Sequence, residues 1–218
     1  MKLKFALMPL LLLVVCLVSC NILQPDEQQS DEDTLNSPGS AYFVGPDGDD
    51  SNTGTKSNPW LTIDKSSNKL QPGDTLYLLE GVYHQMVDIT VRGTQSQPVV
   101  IAAFPGDDVI IDGDTNADGT PDIPNREGDE GWTDPRYGNT FYWGGLVQFV
   151  NWGEQVPAHI VLRGIEVRNS AGRGISMHPG TSYITVEDCY VHHTWHSPIH
   201  MQGVLEPVVR NTTVHDGS

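Results

Sequence analysis

"HIVLRGIEVRNSAGRGISMH" (residues 159–178) can be written above "YITVEDCYVHHTWHSPIHMQ" (183–202) without a gap, at an offset of 24 residues. Leu162 then stands over Val186, Ile165 over Cys189 and Val167 over Val191. Ile175 stands over Ile199, and Met177 over Met201. "PVVRNTTVHDGS" (207–218) continues the columns at an offset of 23, through Val209, Thr212 and Val214. Inside each copy, stretches such as "IEVRN" and "ISMH" alternate in polarity. A period of two marks a strand, because successive side chains leave a strand on opposite faces. A short unit of strands repeated in register predicts an all-β fold, a parallel β-helix with one coil per unit. Neighbouring coils in such a stack lie ~4.8 Å apart, so residues of one column touch.

The columns are chemically consistent with that stacking. Arg163, Glu187 and Arg210 share one and alternate in sign, so adjacent coils attract. The inward columns are aliphatic. Cys189 lies in one of them and reads as a small buried hydrophobe rather than a nucleophile. Upstream, "DTLYLLEG" (74–81), "MVDITVRG" (86–93), "PVVIAAFPG" (98–106) and "DVIIDGD" (108–114) are strand-like and punctuated by glycine, proline and aspartate. One short helix is expected over "TIDKSSNKL", with Thr62 as N-cap and Ile63 and Leu70 on one face. It would cover the open end of the first coil.

The N-terminal 20 residues have a different character. "MKLK" is a positive start, "FALMPLLLLVVCLV" is an apolar run of signal-peptide length, and "LVSC" ends at Cys20. This resembles a bacterial lipobox, which implies lipidation of Cys20 and removal of residues 1–20. Residues 21–40 are acidic and polar, and read as a disordered tether. Asn21 follows the cysteine, which favours the outer membrane or the cell surface. The chain is thus expected to meet the membrane through its lipid anchor alone. A net charge of −16 argues against nucleic acid as a partner. A monomer is expected.

With the repeats in place, "YFVGPDGDDSNTGTKSNPWLTIDKSSNKLQPGDTLYLLEGVYHQ" (42–85) gains meaning. It resembles the leading segment of secreted right-handed parallel β-helix proteins, a group that includes pectate lyases and chondroitinase- or alginate-lyase-like enzymes. The matching features are a strand, "GPDGDDSNTGT", "NPW", a short helix and "PGDTLYLLEGVY". In that comparison Gly73 and Asp74 make the turn into the first coil and Gly81 ends its strand. The resemblance implies a right-handed parallel β-helix over 41–218. It says less about chemistry, since many activities share the scaffold. The sequence departs from the group in having no lysine after Lys69, so the lysine base of such pectate lyases has no counterpart here. It also stops part-way through a coil, which reads as a fragment of a longer protein.

"DTNADGTPD" (114–122) opens with the spacing of a calcium loop, through Asp114, Asn116, Asp118 and Asp122 with Gly119 at the sharp turn. Its flanks are strands, and its twelfth position is Asn125 rather than glutamate, so it is not an EF-hand. It resembles the shorter loops of dockerin-like and thrombospondin type-3-like repeats. Calcium held by those four side chains and the Thr120 carbonyl is expected; the alternative is a polar turn with no ion. The loop begins an insertion at about 114–144 that also carries Trp132, Tyr137, Phe141, Tyr142 and Trp143. Such rings either stack on sugars or pack the insertion onto the β-helix wall; Trp132, Tyr137, Tyr142, Trp143 and, on a later turn, Trp195 are the candidate sugar contacts.

Histidines cluster in "VHHTWHSPIH", with Arg168, His192 and His215 in one outward column and Asn169, His193 and Asp216 in another. The cluster could be a base, a transition-metal site or a solvated polar ladder. β-Elimination from a uronide needs a base beside the carboxylate and a cation to neutralise it. Arg168, Arg173, His193 and His196 are the candidates. Hydrolysis needs paired acids, and of Glu166, Glu187 and Asp188 the second is committed to its charge ladder. The reading is a lipoprotein that binds, and in a longer form cleaves, an acidic or neutral polysaccharide, with lyase chemistry ahead of hydrolysis. The alternative is a non-catalytic carbohydrate-binding or adhesion module.

Overall fold

The computed structural model describes residues 39–122, 132–133, 140–141, 144–151 and 155–217. Three parallel sheets wrap one apolar core, and the chain visits each sheet once per coil. Strand β1 (Ala41–Val44) precedes helix α1 (Ile63–Ser67). The first coil is β2 (Thr75–Leu78), β3 (Gly81–Tyr83) and β4 (Val87–Ile89). The second is β5 (Val99–Ala103) and β6 (Val109–Asp112), then, after the insertion with its antiparallel pair β7 (Trp132–Thr133) and β8 (Thr140–Phe141), β9 (Gly145–Phe149). The third is β10 (Ala158–Arg163), β11 (Glu166–Ser170) and β12 (Arg173–Met177). The fourth is β13 (Ser182–Glu187), β14 (Tyr190–Thr194) and β15 (Ile199–Met201); β16 (Val208–Arg210) and β17 (Thr213–Gly217) begin a fifth.

The register agrees with the columns read from the repeats. Ile160 pairs with Ile184, Val167 with Val191 and Ile175 with Ile199. Val209 pairs with Val186 at the shorter offset. One inward ladder runs Leu76, Ile101, Leu162 and Val186, each at most 1% exposed. Burying an aliphatic side chain of this size contributes about 1.5–3 kcal/mol, so a few such ladders outweigh any single surface contact. Val209 and Val214, the corresponding residues of the fifth coil, are open to solvent. Cys189 is buried, and burial pushes its thiol up from the ordinary range, as expected of a core residue. The charge column also forms: Arg163 Nε donates to Glu187 Oε1 at 2.5 Å, and Arg210 Nε donates to Glu187 Oε2 at 2.6 Å.

Two local expectations need correction. Thr62 takes the N-cap position of α1 in extended conformation, but its hydroxyl makes no cap bond. Its Oγ1 donates to Asp50 Oδ2 at 2.6 Å, while Asp50 Oδ1 accepts the N–H groups of Thr62 and Leu61. The carboxylate of the preceding "GPDGDD" loop is the stronger acceptor and displaces the hydroxyl from the capping role. Burial alone would raise the Asp50 pKa; the bonds from Thr62, Lys65 and Leu61 outweigh it and hold it at about 2. The second correction concerns Gly81, which opens β3 rather than ending β2. The chain turns a corner there with φ of +142°, and a Cβ would lie 2.5 Å from Pro46 Cγ. Only glycine fits both conditions.

The cover over the first coil is as expected in kind. Ile63, Leu70 and Trp60 are buried, and Trp60 stacks on Tyr42 at 5.2 Å between ring centroids. Gly54, at φ of +79°, lets the Trp60 ring approach to 2.7 Å from where a Cβ would be. That close approach explains why "GPDGDDSNTGT" and "NPW" occur together.

Candidate functional site

The outer faces of two sheets carry the polar residues singled out from the sequence, and they form separate groups. On the sheet of β3, β6, β11, β14 and β17, Arg168 and His193 belong to an internally paired ladder. Asp112, 5% exposed, accepts Arg168 Nε at 2.7 Å on Oδ2 and Asn169 Nδ2 at 2.9 Å on Oδ1. Arg168 Nη1 also donates to Glu166 Oε1 at 3.0 Å, and His192 Nε2 lies 3.2 Å from the same oxygen. His192 stacks against both Tyr190 and His215, which also touch each other, and meets His193 edge-on. Tyr190 and His215 are in hydrogen-bond contact, as are the His192 and His193 Nδ1 atoms.

Electrostatics here favour a held network over a proton-transfer site. Burial pulls the Arg168 pKa down, but Asp112 and Glu166 outweigh it and raise the value, so Arg168 keeps its proton. Burial holds His192 below the ordinary histidine range despite Glu166. Among the described residues, no three His, Cys, Asp or Glu side chains gather into a ready-made metal centre. The groove beside this ladder, about 320 Å³, is lined by Asp107, Asp108, Glu166 and Asp188 and would repel a polyanion.

Arg173 lies on the other sheet, of β4, β9, β12 and β15, whose outward row is Asp88, Gln148, Ser176 and His200. Gln148 Nε2 donates to Asp88 Oδ1 at 3.0 Å, and His178 Nε2 lies 3.2 Å from Gln148 Oε1. Arg173, Ser176, His178, His200 and Gln202 line a pocket of about 80 Å³. Ser176 Oγ and His200 Nε2 are buried there and have no hydrogen-bond partner. Burial lowers the Arg173 pKa. Burial also lowers that of His200, and the charges of Arg173 and His196 act in the same direction. His196, in the turn between β14 and β15 that also holds Trp195, donates its backbone N–H to the carbonyl of Gly172, the residue before Arg173, at 2.9 Å. The four proposed catalytic residues therefore divide: Arg173 with His196, Arg168 with His193.

Sequence reasoning missed Ser176 and Gln202, and it reached His178 and His200 only as members of the histidine cluster, not as candidates of their own. A signal existed, because Ser176 and His200 are column partners one repeat apart. Their burial on an outward face was not readable from alternation alone. Tyr137, Tyr142, Trp143 and Cys20 lie outside the described residues, as does the side chain of Trp132. Asp114, Asn116, Asp118, Thr120 and Asp122 form a hydrogen-bonded loop directly after β6. Among the described residues, no helix is long and apolar enough to cross a membrane.

Known proteins share this architecture. The chain is 33% identical over 86 residues to the uncharacterized protein YwoF of Bacillus subtilis (strain 168), covering 39% of this chain and 18% of that protein. It is 40% identical over 81 residues to pectate lyase PEL9 of Emericella nidulans, covering 36% of this chain and 20% of that one. The chain thus spans about a fifth of the length of these curated relatives. The crystal structure of pectate lyase Pel9A superposes with a TM-score of 0.55 at 19% identity, over 83% of this chain and 41% of that one, which shows a shared fold. The family model described as the Pel9A-like, right-handed beta helix region matches residues 42–217, and the chain belongs to that family.

Proposed function

We propose that this β-helix binds a uronic-acid polysaccharide across the outer face of the β4–β9–β12–β15 sheet, and that its reaction is β-elimination. The observation that carries the reading is the pocket beside Arg173, where Ser176 Oγ and His200 Nε2 are buried without partners. Buried polar atoms are normally satisfied, so an orphan pair beside a guanidinium fits a ligand that is itself polar and anionic. At about 80 Å³ the pocket has room for a carboxylate or a few waters, not a whole sugar ring. A polymer would then lie along the stacked strands and place one carboxylate there. The pectate lyases among the relatives act on such polymers by their names, which supports the substrate class.

For elimination, Arg173 would neutralise the uronate carboxylate as the adjacent proton leaves. His200, held neutral by its surroundings, or His196 beside it would accept the proton. One observation favours a second reading, a non-catalytic binding module. Arg168, Asp112 and Glu166, on the ladder of β6, β11 and β14, are spent on each other. Affinity electrophoresis in gels containing pectate, alginate or chondroitin tests the binding, and ultraviolet detection of unsaturated ends tests the cleavage. Retardation by at least one uronide, with little by a neutral glucan, is expected. Equal mobility in every gel would refute the proposal; retardation without unsaturated ends would select the binding module.

We further propose that Cys20 is lipidated and tethers the β-helix to the outer membrane or cell surface. "LVSC" and the polar segment after it support this. Labelled palmitate should enter the wild type and not Cys20→Ala, and equal labelling of the two would exclude the anchor.

A further inference from the structure

We propose that residues 114–122 form a structural calcium site, with the side chains of Asp114, Asn116, Asp118 and Asp122 and the Thr120 carbonyl as ligands. This is independent of the polysaccharide reading. Two buried carboxylates stand two residues apart at the end of β6, and only one of them is neutralised. Asp112 has both oxygens occupied, by Arg168, Asn169 and the Asp114 N–H. Asp114 is 6% exposed, and its Oδ2 accepts the Gly119 N–H at 2.9 Å, which turns the carboxyl into the loop. Its Oδ1 is buried with no hydrogen-bond partner. Among the described residues no Lys, Arg or His side chain is paired with it. A buried carboxylate with a bare oxygen is costly unless a cation meets it.

The rest of the loop supplies the remaining oxygens. Asp118 uses Oδ1 for the Thr120 N–H, and Asp122 uses Oδ2 for Thr115. Each leaves its second oxygen uncommitted. Asn116 Oδ1 accepts one bond, from the Asp118 N–H, and keeps a lone pair. Gly119, at φ of +85°, makes the reversal that brings the two halves together, and the Asp122 N–H closes the base on the Gly113 carbonyl at 2.8 Å. The loop is not a preformed cage of three carboxylates. A calcium loop has no need to be one, since amide, carbonyl and water oxygens complete its shell and the carboxylates close in on binding. An all-oxygen donor set with six or more members selects a hard, flexible cation, calcium ahead of zinc or copper. Through the Asp114 N–H bond to Asp112, the ion would fix the base of the insertion to the Arg168 ladder.

Equilibrium dialysis of the whole chain against radioactive calcium, after chelator treatment, tests the site. One saturable calcium per chain is expected, with a dissociation constant on the order of 10⁻⁴–10⁻³ M, the range of extracellular modules. Asp114→Asn and Asp118→Ala should each weaken binding by tenfold or more, while Asp188→Asn, outside the loop, should leave it unchanged. Calcium should also raise the melting temperature of the wild type and not of Asp118→Ala. If Asp114→Asn fails to fold, Asp118→Ala decides, because Asp118 is exposed. No saturable binding by the wild type, or undiminished binding by Asp118→Ala, overturns the site.

Discussion

Ile184→Asp is expected to abolish cooperative folding of the β-helix, whereas Glu166→Gln should leave a folded chain with a modestly lower melting temperature. Ile184 is fully buried and stacks directly on Ile160 of the coil before it. Truncating such a residue to alanine costs about 2–5 kcal/mol. An aspartate adds an unpaired charge to the same site, and neutralising that charge still leaves a buried polar group at a cost of several kcal/mol. A domain of this size has a total stability of only about 5–15 kcal/mol, so the two terms together remove most or all of it. In a stack of coils the loss spreads, because each coil is held by its neighbours. Glu166 is a different case. It is part-exposed, and its partners Arg168 and His192 keep other contacts with Asp112 and Tyr190. The amide still accepts from Arg168, and a partly exposed pair is worth about 0–1 kcal/mol. Circular dichroism melts of the two variants check the contrast. A sharp, near-native transition for Ile184→Asp would mean that residue 184 does not face the core.

That contrast also shows what the sequence could disclose. Stacked strands impose one rule on every coil, that alternate residues face a shared core, so apolar columns survive as a visible period. Ile160 over Ile184 and Arg163 over Glu187 were legible for that reason. The corner at Gly81 and the capping of α1 were not, because each depends on a residue remote in sequence: Pro46 against Gly81, and Asp50 against Thr62. The site was half legible for a related reason. Alternation assigns Ser176 and His200 to an outward face, but being outward there does not mean being wet. Ser176 is fully buried, and the His200 Nε2 atom is shielded. Nor does alternation say which of three faces a residue occupies, so Arg168 and Arg173, five positions apart, were grouped although a turn sends them to different sheets.

Arg173→Ala is therefore expected to remove most of the affinity for uronides while Arg168→Ala changes it little. Arg173 is the cation of the pocket that also holds the orphan Ser176 and His200 atoms. Truncating one partner of a buried, charge-assisted contact costs about 2–5 kcal/mol, which is roughly thirtyfold or more in affinity. Arg173→Lys should recover only part of this, because lysine keeps the charge but not the planar fork that holds two carboxylate oxygens at once. Arg168, by contrast, has its charge neutralised by Asp112 and Glu166, and the groove beside its ladder is acidic. Its loss should instead lower the melting temperature, since Asp112 would be left buried without its cation. Affinity electrophoresis in pectate gels, paired with thermal melts of the same samples, separates the two effects. A polymer affinity that follows Arg168 rather than Arg173 would place the ligand on the β6–β11–β14 face. Equal affinity in both variants would mean that neither arginine meets the carboxylate.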